Sequence, residues 1–381
     1  MILSYGAKNF FCFKEWVEIS FEQGASGRNK NISKEKPAAI ALCLKGANSS
    51  GKTNGLKILS FLSYFCTYSF ISLKPEDFIP LESFFNNSEN TEFFVKFTIG
   101  DIEYRYELIL NKERVVSEKI FQKRQRLTLV FERQNDEIKK NTVFNFSFPL
   151  KLRKNASFIC IARQSEINEI LPFYEFFENI LTNVTHWGLN KKILESSEKD
   201  LSEFYSKNPD YLEFTVEKLK KFDTGIKDIS IESYEKNMKK EFYPLFKYDV
   251  DSEVHALTYR GQSSGTKALF SLLRLYKQTL DIGGILVLDE FDINLHPEIL
   301  PHLVDLFESS ASNKQNAQLI FTTHNVDIID KMGKYRTYLF NKEENESYCY
   351  RLDELPSNLI RNDRLITPLY KSGKIGGVPR I

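Results

Sequence analysis

Four short stretches of this 381-residue sequence carry residue types at spacings that can do chemistry. Gly46-Ala47-Asn48-Ser49-Ser50-Gly51-Lys52-Thr53 fits the pattern G-x-x-x-x-G-K-[ST] without a mismatch. Glycines let a backbone wrap a polyphosphate with its N–H groups pointing inward, and a following helix adds the positive end of its dipole. Gly46, Asn48, Ser49, Ser50 and Gly51 are therefore candidate nucleotide-binding residues. Lys52 is expected to reach the β- and γ-phosphates, and Thr53 to hold Mg²⁺. Ile285-Leu286-Val287-Leu288-Asp289-Glu290 is four apolar residues followed by two acids. A parallel strand buried on both faces is apolar along its length, and ligands bind beyond its C-terminal end. Asp289 would there join the Mg²⁺ shell, and Glu290 would orient and deprotonate an attacking water.

Two further stretches follow the same logic with weaker signals. Gln262-Ser263-Ser264-Gly265-Thr266 offers N–H donors and a hydroxyl to a phosphate at the start of a helix. The same residues read equally well as a plain Ser or Thr N-cap. Leu319-Ile320-Phe321-Thr322-Thr323-His324 is a strand ending in His, and an imidazole there can contact a γ-phosphate. A lone His of this kind is usually structural; its order after the other three stretches favours the functional reading.

These residues need elements to position them. Val17 to Phe21 alternates with period two, as a half-buried strand does. A polar loop, Glu22 to Lys36, follows. Ala38 to Leu44 is a short apolar run compatible with a buried strand, and Asn54 to Phe70 is apolar at helical spacing. The order strand, glycine loop, helix is the context a phosphate loop requires. Phe93 to Ile99, Glu103 to Leu110 and Ser117 to Gln122 look like strands, joined by turns at Gly100-Asp101 and Asn111-Lys112. They predict an antiparallel meander. Glu166 to Lys221 is mostly helical by pattern, broken at Asn208-Pro209-Asp210. A strand is expected at Ile229 to Ile231 and a helix over Thr266 to Thr279. The fold class is thus α/β.

Composition excludes several alternatives. The charge is +1 from 52 Lys and Arg against 51 Asp and Glu, and 42% of residues are hydrophobic. That is ordinary globular usage, not a disordered chain or a supercharged nucleic-acid binder. The apolar run Ile58 to Leu73 is broken by polar residues and too short to span a bilayer. No signal-peptide pattern opens the chain, so a cytoplasmic protein without membrane contact is expected. The cysteines (Cys12, Cys43, Cys66, Cys160, Cys349) and the histidines (His186, His255, His296, His302, His324) have no zinc spacing. No G-x-S-x-G elbow supports a serine hydrolase. From Lys112 to Lys154 twelve Lys and Arg face five Asp and Glu, a local charge of +7. Nucleic acid or an acidic protein could be steered there, but a solvated hairpin face is the plainer reading.

In this order the four stretches resemble the ABC-type ATPase head. The likeness is to the branch of SMC, RecF and OLD-type proteins, and within it to RloA/AbiLi-like ATPases of bacterial defence loci. The signature Leu-Ser-Gly-Gly-Gln of the superfamily is similar to Gln262-Ser263-Ser264-Gly265-Thr266, which departs at three of five places. Asn294-Leu295-His296-Pro297 resembles the D-loop of the OLD/RloA-like branch. Leu219 to Ile226 and the ending Leu369 to Pro379 also resemble that group, so the likeness spans nearly the whole chain.

The resemblance implies one head, with a mostly parallel phosphate-loop sheet, an antiparallel β subdomain and a helical insert. The expected parts are an N-terminal lobe over 1–160, a helical insert over 161–262 and a catalytic C-terminal part over 263–381. Two heads would enclose two ATP molecules. Lys52, Thr53, Asp289, Glu290 and His324 would act within one chain, Ser264 and Gly265 across the interface. Gln164, after the apolar Phe158 to Ile161, is the candidate for the superfamily's Mg²⁺-sensing glutamine. Asn9, Phe10 and Phe13 would come near the adenine, or lie in the core. The expected assembly is a homodimer or higher homo-oligomer using ATP and Mg²⁺. The segment after His324 is too short for the TOPRIM nuclease of OLD proteins, so a separate effector, a TOPRIM nuclease or toxin, is expected. The implied function is a sensor or switch ATPase of anti-phage defence. A DNA-maintenance ATPase of the RecF/SMC kind and an ATP-dependent scaffold with little turnover remain open beside it.

Overall fold

A computed structural model describes residues 1–23, 38–146, 150–185, 188–189, 197–222, 225–236, 238–360 and 364–378. His186, Asp223, Thr224, Pro379 and most of the polar loop before residue 37 lie outside the described residues. The first elements are β1 (Ile2–Lys8), β2 (Val17–Ser20), β3 (Ala41–Gly46) and helix α1 (Lys52–Ser72). Strands β4 (Thr91–Ile99), β5 (Ile102–Leu110), β6 (Val115–Lys123), β7 (Leu127–Gln134) and β8 (Glu137–Asn141) follow. Next come α2 (Phe158–Gln164), α3 (Leu171–Glu178), β9 (Ile180–Thr182), β10 (Val184–Thr185), β11 (Gly188–Leu189), α4 (Glu198–Lys207) and α5 (Pro209–Phe222). Strands β12 (Ile226–Lys236), β13 (Lys239–Val250) and β14 (Glu253–Thr258) lead to α6 (Ser264–Ile282) and β15 (Ile285–Leu288). The chain continues through α7 (Ile299–Glu308), β16 (Gln318–Thr322), α8 (Ile328–Met332), β17 (Thr337–Glu343), β18 (Glu346–Arg351) and α9 (Thr367–Lys371).

The site is organised by a six-stranded sheet in the order β18-β17-β3-β16-β15-β9. Every pairing in it is parallel except β17 with β18. Strands β15 and β16 are buried at every residue, which is why β15 and Leu319 to Phe321 of β16 read as apolar runs. One face packs on α1 and, beyond it, on a seven-stranded antiparallel sheet, order β2-β1-β4-β5-β6-β7-β8. Leu56, Leu59, Phe61 and Phe65 of α1 share one core with Phe93, Val95 and Phe97 of β4 and with Val287 and Ile320. A helix squeezed between two sheets is apolar on more than one stripe, and α1 is so. The other face of the parallel sheet packs on α6 and α7 through Leu286, Leu288, Leu319 and Phe321.

The α/β expectation and the meander are met, and β1, β2, β7 and β8 extend the antiparallel sheet. Two features differ from the sequence reading. Ile180–Thr182, inside a stretch expected to be mostly helical, is the edge strand of the parallel sheet. Three residues are too few for a period to show, and pairing with β15 decides the matter. The 161–262 segment also carries more strand than expected, because the short run at Ile229 grows into the antiparallel sheet β12-β13-β14. No helix among the described residues is long and apolar enough to cross a membrane.

Candidate nucleotide-binding site

Parallel strands bring their C-terminal ends to one edge, and three of the four chemical stretches meet there. Strand β3 ends at Gly46, β16 lies beside it, and β15 lies beside β16. The loop from Gly46 to Gly51 turns tightly into α1. Gly51 has φ 106°, which favours glycine, and a Cβ would come within 2.9 Å of Cys12 Sγ. A Cβ at Gly46 would meet Phe340 O and Ser50 Oγ, each at 2.5 Å. Asn48 and Ser49 are exposed on the loop, while Ser50 is buried with a hydroxyl that has no partner among the described residues. Lys52 Nζ donates to the carbonyls of Gly46 (2.8 Å) and Ala47 (2.9 Å), so the ammonium lies inside the loop. Burial pulls its pKa down, opposed by the fields of Asp289 and Glu290.

The carboxylates follow directly on β15. Thr53 Oγ1 donates to Asp289 Oδ2 at 2.8 Å, and Thr322 Oγ1 donates to Asp289 Oδ1 at 2.5 Å. The Thr322 hydroxyl also accepts the Glu290 N–H at 2.7 Å, so one side chain sets both acids. Glu290 has φ 48°, a left-handed conformation that is uncommon for a non-glycine residue and recurs at functional sites. Its Oε1 lies 3.6 Å from His324 Nε2. Asn183, fully buried just past β9, bonds both backbone groups of Asp289: its Nδ2 donates to the carbonyl at 2.9 Å and its Oδ1 accepts the N–H at 2.8 Å. Thr322 and Asn183 were not legible as site residues. Their only signal is that they end or follow strands adjacent to β15, and that adjacency is tertiary.

Thr53 and Asp289 present a hydroxyl and a carboxylate side by side. Hard oxygen donors beside a phosphate loop are the set that Mg²⁺ takes in phosphate sites, so these residues fit the metal.

Ser264 and Gly265 stand apart from the loop. Ser263 Oγ accepts the Thr266 N–H at 3.1 Å and caps α6, so the N-cap reading holds for that serine. Ser264 is exposed at the first helical position. It shares a cavity of about 350 Å³ with Lys267, Asn294 and Glu290, and no phosphate-loop residue lines that cavity. A Cβ at Gly265 would approach Asn294 O at 3.0 Å, so the signature and the D-loop are packed together.

Gln164 is not brought to the site. Residues Phe158–Gln164 form α2, capped by Ser157, and Cys160 Sγ donates to Thr67 O at 3.1 Å. Thr67 lies about 21 Å along α1 from Thr53. Gln164 is exposed at the end of that helix, and the apolar run before it serves packing. Phe10 and Phe13 are core residues, at 1% and 0% exposure. Asn9 is buried and its side chain is held by Asn87, Glu89 O and the Phe84 N–H. Part of the basic stretch is paired: Lys112, Arg114, Lys119, Lys123 and Lys139 lie against Glu82, Asp136, Glu132, Glu103 and Glu137. Arg133 is fully buried against Glu118. This pairing supports the solvated-face reading.

Residues 42–330 match the family model described as "AAA domain, putative AbiEii toxin, Type IV TA system". The chain belongs to this AAA family. No curated protein matches it. Among solved structures it is similar to an SMC head bound to the C-winged helix domain of ScpA. That pair shares 15% identity over 93% of this chain and 98% of that one, with a TM-score of 0.49. It is also similar to the SMC head domain from Thermotoga maritima, at 13% identity over 92% and 98% of the chains and a TM-score of 0.44. The AAA family model covers every candidate residue of the loop, the carboxylate strand, the signature and His324.

Proposed function

We propose that this AAA-family chain binds and hydrolyses ATP, dimerises around it, and acts as the switch subunit of an anti-phage system that controls a separate effector. The observation that carries the ATPase reading is the meeting of Lys52, Thr53, Asp289, Glu290 and His324 at one edge of the parallel sheet. Lys52 holds the phosphates. Thr53 and Asp289 would hold Mg²⁺, which neutralises phosphate charge when bound. Glu290 takes a proton from the attacking water, and its backbone is fixed for this by Thr322. His324 stands beside Glu290 and would contact the γ-phosphate. Exposed Ser264 lines a cavity with Glu290 but with no phosphate-loop residue, and this supports a site completed by a second copy. The family description supports the defence role.

The test is ATP turnover and oligomeric state in three variants. Glu290→Gln should lower turnover by about 10²- to 10⁴-fold and accumulate an ATP-bound dimer on size exclusion. Ser264→Arg should keep ATP binding and block turnover. Mixing Lys52→Ala chains with Ser264→Arg chains should restore roughly half the wild-type rate per mixed dimer, or about a quarter overall at random 1:1 pairing, since one composite site per mixed dimer stays intact. Unchanged turnover in Glu290→Gln removes Glu290 as the catalytic base, no turnover by the wild type removes the ATPase reading, and no recovery at any mixing ratio removes the shared site. Co-purification of a nuclease or toxin with Glu290→Gln from its host tests the effector.

A further inference from the structure

Lys45, the residue just before the phosphate loop, is a cation that the proposed chemistry does not use. Only 2% of it is exposed, and it sits on the central strand of the sheet. A buried ammonium is costly unless its donors are satisfied. Its Nζ donates to Thr323 O at 2.7 Å and to Asn325 O at 3.0 Å, and it lies 5.7 Å from the centre of the Tyr370 ring. The two carbonyls flank His324. From the other side, Asp292 Oδ2 accepts the N–H of His324 at 3.1 Å and of Asn325 at 3.2 Å. The turn is therefore gripped at its carbonyls by a cation and at its amides by an anion. Asp292 Oδ1 is buried with no hydrogen-bond partner among the described residues. Burial pulls the Lys45 ammonium down, while the Cys43, Asp292 and Asp327 fields oppose this.

We infer that Lys45 and Asp292 are positioning residues that brace the His324 turn, holding the imidazole against Glu290 and in register with the phosphate loop. The inference rests on the ATPase reading above. Lys45 is continuous with Gly46, and Asp292 lies two residues past Glu290, so the brace joins the loop, the catalytic acid and the histidine through short rigid paths. A shift of His324 by about an ångström is enough to lower a rate strongly.

The experiment uses the full chain as wild type, Lys45→Met, His324→Ala and the double variant, with Lys45→Arg as the conservative substitution. Lys45→Met should lower ATP turnover about tenfold or more while the Kd for ATP changes less than about threefold. The double variant should be no slower than His324→Ala alone to within about twofold, because both act through one group. Lys45→Arg should recover part of the lost rate. Independently of activity, the ¹³C-histidine resonance that disappears in His324→Ala should move in Lys45→Met. Equal losses from Lys45→Met with and without His324, or an unmoved His324 resonance, overturn the brace. A wild type with no Glu290-dependent turnover overturns the ATPase reading instead, and the resonance still judges the brace. If Lys45→Met does not fold, Asp292→Ala carries the same measurements.

Discussion

Two buried carboxylate clusters in this molecule have opposite designs. Glu118, in the antiparallel sheet, is fully buried and closed: it accepts from Tyr106 Oη at 2.8 Å, from the Phe158 N–H at 2.8 and 2.9 Å, and from Arg133 at 3.3 Å. Arg133 in turn donates to Ala156 O, Arg153 O and Asn135 O. Burial pushes the Glu118 carboxyl up, and Arg133, the Phe158 N–H and Tyr106 oppose it. The Asp289–Glu290 pair, on the parallel sheet, is closed behind and open in front. Thr53, Thr322 and Asn183 hold Asp289, while Glu290 and His324 keep 40% and 55% of their side chains exposed. A cluster whose acceptors all face fixed protein donors can only hold structure. A strand end supplies apolar support on one side and leaves the last carboxylate to a ligand. That difference separates framework from chemistry more sharply than burial alone.

The comparison can be broken at four points. Glu118→Ala leaves buried Arg133 with only carbonyl acceptors and Asp136 at 3.8 Å, and should cost about 3–5 kcal/mol in urea unfolding, with ATP affinity of the folded protein unchanged. A loss of ATP binding in folded Glu118→Ala would merge the two clusters. Lys52→Ala should do the reverse, weakening ATP binding about 10- to 100-fold by calorimetric titration while the unfolding midpoint hardly moves. Thr322→Val sits between them, since it unpairs Asp289 Oδ1 and the Glu290 N–H together. It should cost about 1–2 kcal/mol in unfolding and lower turnover as well. Gln164→Ala should be the smallest, within about 0.5 kcal/mol in unfolding and with turnover unchanged. A large turnover loss there would restore Gln164 as a sensor and demand a rearrangement of α2.

Much of the site is legible because its chemistry is concentrated in contiguous stretches. The phosphate loop needs eight consecutive residues, and the carboxylates need an apolar strand that ends in acids. Both patterns survive without any tertiary information, and β3, α1, β15 and α6 follow from them. What is missed lies in single residues. Asn183 follows a strand of three residues, and Lys45 looks like an ordinary lysine before a glycine. Gln164 fails for the converse reason. The apolar tetrapeptide Phe158 to Ile161 does not by itself say where the following glutamine lies, and Ser157 caps it into a helix that packs on the far end of α1.

The sequence by itself determined the α/β class, the phosphate loop, the two acids on a strand end and the order of the motifs. Each is a local pattern that backbone geometry and burial impose on neighbouring residues. Only the tertiary structure decided which residues support them: Asn183 behind Asp289, Thr322 beneath both acids, Lys45 and Asp292 around His324. These partners are brought together by parallel strand order, and in a parallel sheet neighbours in space are far apart along the chain because each return requires a crossover. No spacing in the sequence encodes that neighbourhood, whereas the six hydrogen bonds of Thr322, Lys45 and Asp292 at the end of β16 do.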